Sequence, residues 1–562
     1  MKKEKWFHLK IFLKFSLVLG LLCAASSGKI LSYEQIKNEP KSLAKDYYIY
    51  RLIDETKYNK AEIKILKQSI FRYKGKLKEK LDRIFGAIRP PKRPDRCAGV
   101  TAANILDANL TCKKARSYPN FIAKLSPSVR ETLASQLEKH QDAASRNAVN
   151  LLRGFNDENP SEYFMQSRNA QNYFLYYDYL KGAGKDALID IDADAAFVSE
   201  LASQKGFKAV LNDALINRKY PHLRRSLTGV DPLTVEKDVA FMLGVNAVMQ
   251  GDEGAALAFF SRAAASFEKP HDVHNAKFWI YLLNGDQNVL RQLASSDYYS
   301  LYALYAKEVL GDRNLNIIIP NPAKNSIEGY DITDPFAWVR TKNSADRMSR
   351  EQLLEFAKKF DTKQSIGEYS YIMNKASGGK DNFYPTPFME YIGDGDNRRK
   401  ALILALARQE SRFVPASVST SYALGMMQFM PFLANEIGKK QLKIDGFDQD
   451  DMFRPEVAYR FANIHIDWLE RKIYSPVFIA YAYNGGLGLV KKMLQRGDMF
   501  NKGKFEPWLS MELVPYAESR DYGKKVLANF IIYSQILDPR AKVSVQQELQ
   551  DLLIPSRSDS FR

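Results

Sequence analysis

The sequence predicts an all-α protein of several domains, and three observations lead there. Helix-forming runs alternate with short Gly-Asp or proline-bearing breaks along most of the chain. Apolar residues make up 45% and charged residues 26%, the balance of a folded globular chain rather than of collagen, a coiled coil or a disordered polymer. At 562 residues the chain is longer than one hydrophobic core usually serves.

Residues 1–25 read as a secretory signal peptide. Lys2, Lys3, Lys5 and Lys10 precede Ile11-Phe12-Leu13 and the run Phe15 to Leu22, and small residues Ala24-Ala25-Ser26-Ser27 follow. The run is shorter than the roughly 20 residues a spanning helix needs, and Lys14 interrupts it. A lipid-anchored end at Cys23 is disfavoured by bulky Leu22 before it. Export to the periplasm, without a stable membrane anchor, is the expectation. It leaves Cys97 and Cys112, and two cysteines in an exported chain predict one disulfide. Closing so short a loop contributes about 3 kcal/mol on the chain-entropy account. The loop also holds the sequon Asn109-Leu110-Thr111.

From Leu31 to Asp312 helix follows helix. Val239–Met249 is broken from Ala255–Ala264 by Gln250-Gly251-Asp252-Glu253, and Ala276–Leu283 from Val289–Ala294 by Asn284-Gly285-Asp286. Such recurrence predicts a solenoid-like superhelical array over residues 26–325, and leaves open whether it closes into a ring. Aromatic clusters such as Tyr173-Phe174-Leu175-Tyr176-Tyr177 and Tyr298-Tyr299-Ser300-Leu301-Tyr302 fit packing between helices better than sugar stacking. His271 and His274 lack a carboxylate cluster beside them, so no zinc site is read there. The stretch Pro320 to Ser326 marks a boundary, a short helical section runs from Asp334 to Met373, and Ser377 to Pro387 reads as a hinge. Asp394-Gly395-Asp396-Asn397 hints at a calcium loop, but the twelfth position is Ala405, where a bidentate Glu is needed. No metal or cofactor is expected.

The chemistry concentrates between Ala401 and Pro431. Seven apolar residues, Ala401 to Ala407, run into Arg408-Gln409-Glu410-Ser411, so Glu410 is placed near the end of a buried helix. Pro415 is expected to limit that helix. Burial and the helix's C-terminal carbonyls both disfavour a carboxylate there, which points to a group able to give and take a proton near neutral pH. A solvated glutamate, or one paired with Arg408 or Arg412, is the plainer alternative.

Ser419 followed by Ala423-Leu424-Gly425-Met426-Met427-Gln428-Phe429-Met430-Pro431 resembles the signature of the soluble lytic transglycosylases, whose catalytic domain is similar to goose-type lysozyme. Ala482-Tyr483-Asn484-Gly485-Gly486 and Val514-Pro515-Tyr516-Ala517-Glu518-Ser519-Arg520-Asp521-Tyr522 resemble that family's next two blocks, in order. The resemblance implies a small helical linker domain at 326–382 and a lysozyme-like catalytic domain at 383–562. It also implies cleavage of peptidoglycan glycan strands by one carboxyl group. On that resemblance Glu410 would protonate the bridging oxygen and then take the proton of the O6 hydroxyl that attacks C1, leaving a 1,6-anhydro sugar. By motif position Ser419, Gln428, Met430, Tyr483, Asn484 and Glu518 would bind substrate or support the site. Tyr422 stands where the family usually has Gly, setting a bulky side chain beside the sugar-binding loop, while Met426 replaces Leu and Gly485 replaces Ala.

The net charge of +17 suits an acidic partner. Export disfavours nucleic acid, and the stem peptides of peptidoglycan carry free carboxylates. A monomer is expected, with other cell-wall enzymes as further candidate partners. Two rivals stand beside this reading: a lysozyme-like hydrolase that admits water, and an inactive cell-wall scaffold.

Overall fold

The computed structural model describes residues 30–87, 95–540 and 542–562, so the expected signal peptide lies outside the described residues. Helices succeed one another throughout, and strand-like pairing among the described residues is confined to isolated bridges such as Val418 with Leu424. The all-α expectation is met. No helix among the described residues is long and apolar enough to cross a membrane. Contacts divide the chain into two compact units.

One unit comprises residues 95–313 and 496–520. Its helices Lys237–Gln250 and Glu253–Ser266 meet at the anticipated Gly-Asp break. Gly251 takes a φ of 77°, which glycine adopts without penalty. Its N–H donates to the Val248 carbonyl, and the Asp252 N–H reaches back to Ala247. Those two bonds satisfy carbonyls that a helix end otherwise leaves unpaired. The Asp252 carboxylate then caps the next helix by accepting from the Ala255 N–H at 2.9 Å. Gly285 and Asp286 repeat the device between Pro270–Asn284 and Gln287–Ala294.

Aromatic rings fill the space between these helices. Phe260 stacks on Trp279 with centroids 5.3 Å apart, and Trp508 from the returning segment sits 4.3 Å from Phe278. Tyr173, Phe174, Tyr176, Tyr177 and Tyr302 are buried, so these clusters serve packing, as anticipated. His274 shares a hydrogen bond with the Ser300 hydroxyl, and burial holds its imidazole down at about 4. Cys97 and Cys112 lie at disulfide distance with Cα atoms 5.4 Å apart. Asn109 of the sequon caps the helix Leu110–Arg116, its side chain accepting from the Cys112 N–H.

The second unit combines residues 30–87 with 314–495, 521–540 and 542–562. Helices Pro335–Ala345, Arg350–Lys358 and Ile366–Ala376 share a small apolar core that includes Leu353, Phe360 and Ile372. The helix Asn397–Ser411 follows, capped by Asp396, and every residue from Ala401 to Ala407 is buried. It does not run on to Pro415. Arg412 and Phe413 both turn left-handed, at φ 56° and 67°, and end the helix at Ser411.

Residues 30–87, read from the sequence as the start of the helical array, group by contacts with 314–495. Arg51, on the helix Leu43–Glu55, is 1% exposed and bonds Asp448 at 2.7 Å, Asp450 at 2.9 Å and Glu55 at 2.9 Å. Tyr47 donates its hydroxyl to Asp450 at 2.5 Å. Burial nevertheless pushes the Asp450 carboxyl up to about 6.

Candidate active site

Glu410 is the second-last residue of the helix Asn397–Ser411 and is half-buried. The buried apolar run before it fixes the helix, so the carboxyl is carried on a rigid support rather than on a loop. Tyr522, buried on the helix Ala517–Leu537, donates its hydroxyl to Glu410 Oε1 at 2.6 Å. That residue closes the third sequence block, yet nothing in the sequence marked it as a partner of Glu410. The one available signal was its place at the end of the motif.

Tyr483 approaches from the helix Pro476–Gly485. Its phenol is pushed well above its ordinary value, chiefly by burial and then by the nearby Glu410 charge. The hydroxyl hydrogen goes to the Met427 carbonyl at 2.8 Å. Asn484 follows it, half-buried, in the last turn of the same helix.

The loop 417–430 is a closed turn held from within. Ser411, next to Glu410, donates to the Met426 carbonyl at 2.8 Å and so fastens the loop to the helix end. Leu424 and Phe429 exchange backbone hydrogen bonds of 2.9 and 3.0 Å. Gly425 has a φ of 77°, and a Cβ there would lie 1.9 Å from the Met452 carbonyl oxygen. Only glycine fits both demands.

Gln428, itself at φ 50°, donates its amide N–H groups to the Gly425 carbonyl at 2.7 Å and the Ser417 carbonyl at 3.2 Å. Its amide oxygen is the end those bonds do not use. Ser419 Oγ accepts from the Ala423 N–H at 2.9 Å and the Ser421 N–H at 3.2 Å, so it shapes the turn. Met430 is half-buried and directly precedes the helix Pro431–Asn435. Glu518, exposed in the first turn of Ala517–Leu537, belongs to the other unit.

Tyr422 is explained by the helix Leu43–Glu55. Its backbone sits at φ 65°, and its ring packs on Tyr47 at 5.9 Å and Tyr50 at 5.6 Å. Arg72 adds a hydrogen bond to the Thr420 carbonyl at 2.9 Å. The bulky side chain thus anchors the turn to the amino-terminal helices. Arg408 bonds Asn529 at 2.9 Å and covers the face of Tyr384.

Chemically, the arrangement offers one carboxyl group steadied by a phenol, with a second phenol and a rigid amide-bearing turn beside it. Such a set can pass a proton to a leaving oxygen and take one back.

Residues 389–505 match the family of the transglycosylase SLT domain. A Haemophilus influenzae relative is 31% identical over 175 residues, 30% of this chain and 28% of its own. The soluble lytic murein transglycosylase of Escherichia coli K12 is 30% identical over 147 residues, 26% of this chain and 22% of that protein. The chain thus spans about a quarter of the length of the curated relatives it matches. Among solved structures, the lytic transglycosylase Slt of Pseudomonas aeruginosa aligns with a TM-score of 0.46 at 16% identity, over 89% of this chain and 80% of that one. The stretch that carries Glu410, the Gln428 turn and Tyr483 thus matches the family of the transglycosylase SLT domain.

Proposed function

We propose that this chain is a periplasmic lytic transglycosylase that cuts the β-1,4 bond between N-acetylmuramic acid and N-acetylglucosamine in peptidoglycan. Glu410 gives its proton to the bridging oxygen as the bond to C1 breaks. It then takes the proton of the O6 hydroxyl of the same muramic acid ring as that oxygen bonds C1. The carboxyl group is regenerated, no water is consumed, and the product carries a 1,6-anhydro end. The observation that supports this most is the carboxyl group of Glu410, half-buried at the end of a buried helix and held there by Tyr522 beside Tyr483. A two-carboxylate glycosidase supplies a second acid for the sugar cation or for water. Here the substrate's own acetamido and O6 groups take that part.

In this reading Gln428 and Asn484 bind the sugar's polar groups, Tyr483 faces the developing cation, and Met430 limits water. Ser419 supports the binding region by shaping its turn. The Cys97–Cys112 pair is oxidised in the periplasm. Residues 26–325, 326–382 and 383–562 serve as helical array, linker and catalytic region behind the signal peptide.

A digest of purified murein, analysed by mass, tests the reading. The parent protein is expected to release anhydro-ended muropeptides, and Glu410→Gln to lose about 10²- to 10⁴-fold in rate. Reducing ends in place of anhydro ends would overturn the transglycosylase assignment in favour of hydrolysis. Equal rates for parent and variant would remove Glu410 from the chemistry.

A further inference from the structure

The helix Pro455–Glu470 carries two aromatic residues one turn apart, His465 and Trp468. Their rings stack 5.7 Å apart and only 14° from parallel. On its inner side His465 meets Tyr483 at 5.6 Å and Phe429 at 6.0 Å, both edge to face. Tyr483 and Phe429 also touch, at 6.0 Å. A continuous aromatic ladder therefore leads from the tyrosine beside Glu410 through His465 to Trp468.

The outer rung is open. Trp468 is 49% exposed, whereas Trp279 and Trp508 are buried. What sets Trp468 apart is that its open ring ends a packed stack that reaches Tyr483. Its orientation is fixed from below, because the parallel His465 ring lies against one of its faces. Burial holds the His465 imidazole down at about 4, so near neutral pH the backing plate is an uncharged ring. The negative face of the indole is then left for a weakly positive partner. The C–H face of a pyranose offers flat apolar contact and no charge, which suits such a platform. The neighbouring Asp467 is paired with Arg399 at 2.7 Å, so its charge is already matched and adds little pull on a cationic ligand.

We propose that Trp468 is an outer sugar subsite, a stacking platform for a pyranose ring of the same glycan strand whose bond is cut at Glu410. The proposal rests on the transglycosylase reading above and extends it along the strand. Trp468 does not touch the reacting atoms. It holds the strand in register.

The test uses the full-length Glu410→Gln protein, which binds without turnover, and sedimentation with purified murein sacculi. Trp468→Ala in that background is expected to weaken binding about three- to tenfold, and Trp468→Phe to restore most of it. In the active protein Trp468→Ala is expected to raise KM more than it lowers kcat, with anhydro ends still formed. Binding equal to the parent's, or a loss confined to kcat, would overturn the subsite. Trp468→Tyr supplies the same comparison should the alanine variant fail to fold. Failure of the Glu410→Gln parent itself to bind sacculi strikes the transglycosylase reading and removes the subsite with it. Binding by the parent that is indifferent to Trp468 removes the subsite alone.

Discussion

At the scale of single residues, the bond from the Tyr522 hydroxyl to Glu410 Oε1 is the contact most open to test. A phenol donating to a carboxylate makes a charge-assisted hydrogen bond, and it fixes which way the carboxyl group turns. Tyr522→Phe keeps the buried ring and deletes only that donor. We expect kcat on murein to fall by roughly tenfold to a hundredfold, the value of one hydrogen bond to a charged group, with the melting temperature little changed. A kcat within twofold of the parent's would show that the bond is idle. The place of Glu410 near a helix end was legible in the sequence, because a run of Ala and Leu, strong helix formers, stops three residues before it. Tyr522 stands in the third motif block but could not be read as its partner. The two are 112 residues apart, and only the fold sets their distance. Gln428 shows the opposite limit. Its position in the motif was plain, but the use of its amide nitrogen on Gly425 and Ser417 depends on a left-handed backbone that periodicity cannot reveal.

At the scale of elements, the helix Leu43–Glu55 braces the turn beside Glu410. Its Arg51 is buried against Asp448 and Asp450, and those residues lead directly to Met452, whose carbonyl packs against Gly425. Its Tyr47 and Tyr50 hold Tyr422 on the other side of the same turn. A buried ion pair is costly to break from one side, since the abandoned charges stay in a poor solvent. Arg51→Met therefore strands two aspartates. The expected outcome is a loss of about 3 kcal/mol in urea unfolding, together with weaker binding to sacculi, because the braced turn carries Gln428. Arg51→Lys is expected to rescue little, since an ammonium cannot reproduce the forked contacts. Full binding by Arg51→Met at unchanged stability would refute the bracing. The sequence hid this arrangement for a clear reason. Arg51 and Asp448 lie 397 positions apart, and a lone arginine on a helix reads as a surface residue. The Gly-Asp turns between helices were legible because both their glycine and their capping aspartate act within a few residues.

At the scale of the whole molecule, the balance of charge sets how stability responds to pH, and one fully buried acid dominates the prediction. Glu368, on the helix Ile366–Ala376, has both carboxyl oxygens buried without a hydrogen-bond partner among the described residues. Burial pushes its carboxyl from an ordinary 4.5 up to about 8. The helix cannot shift to relieve it, since the adjacent Gly367 lies so close to the backbone of Phe413 that an added Cβ would sit 2.5 Å from that carbonyl oxygen. In the folded protein Glu368 is neutral at pH 7, whereas in the unfolded chain it ionises above its ordinary value. The fold thus binds one more proton than the unfolded chain between about 4.5 and 8. The contribution of Glu368 is fully present below that window and is lost as pH rises through it. Asp450, raised to about 6, acts in the same direction over a lower range. Glu368→Gln keeps the shape and cannot ionise, so its stability relative to the parent should climb with pH. The relative gain is expected to reach on the order of 4 kcal/mol between pH 4.5 and 8.5, whatever fixed cost the buried amide adds. Urea unfolding of parent and variant at several pH values checks this, and two parallel stability curves would place the ionisation of Glu368 outside the folding equilibrium.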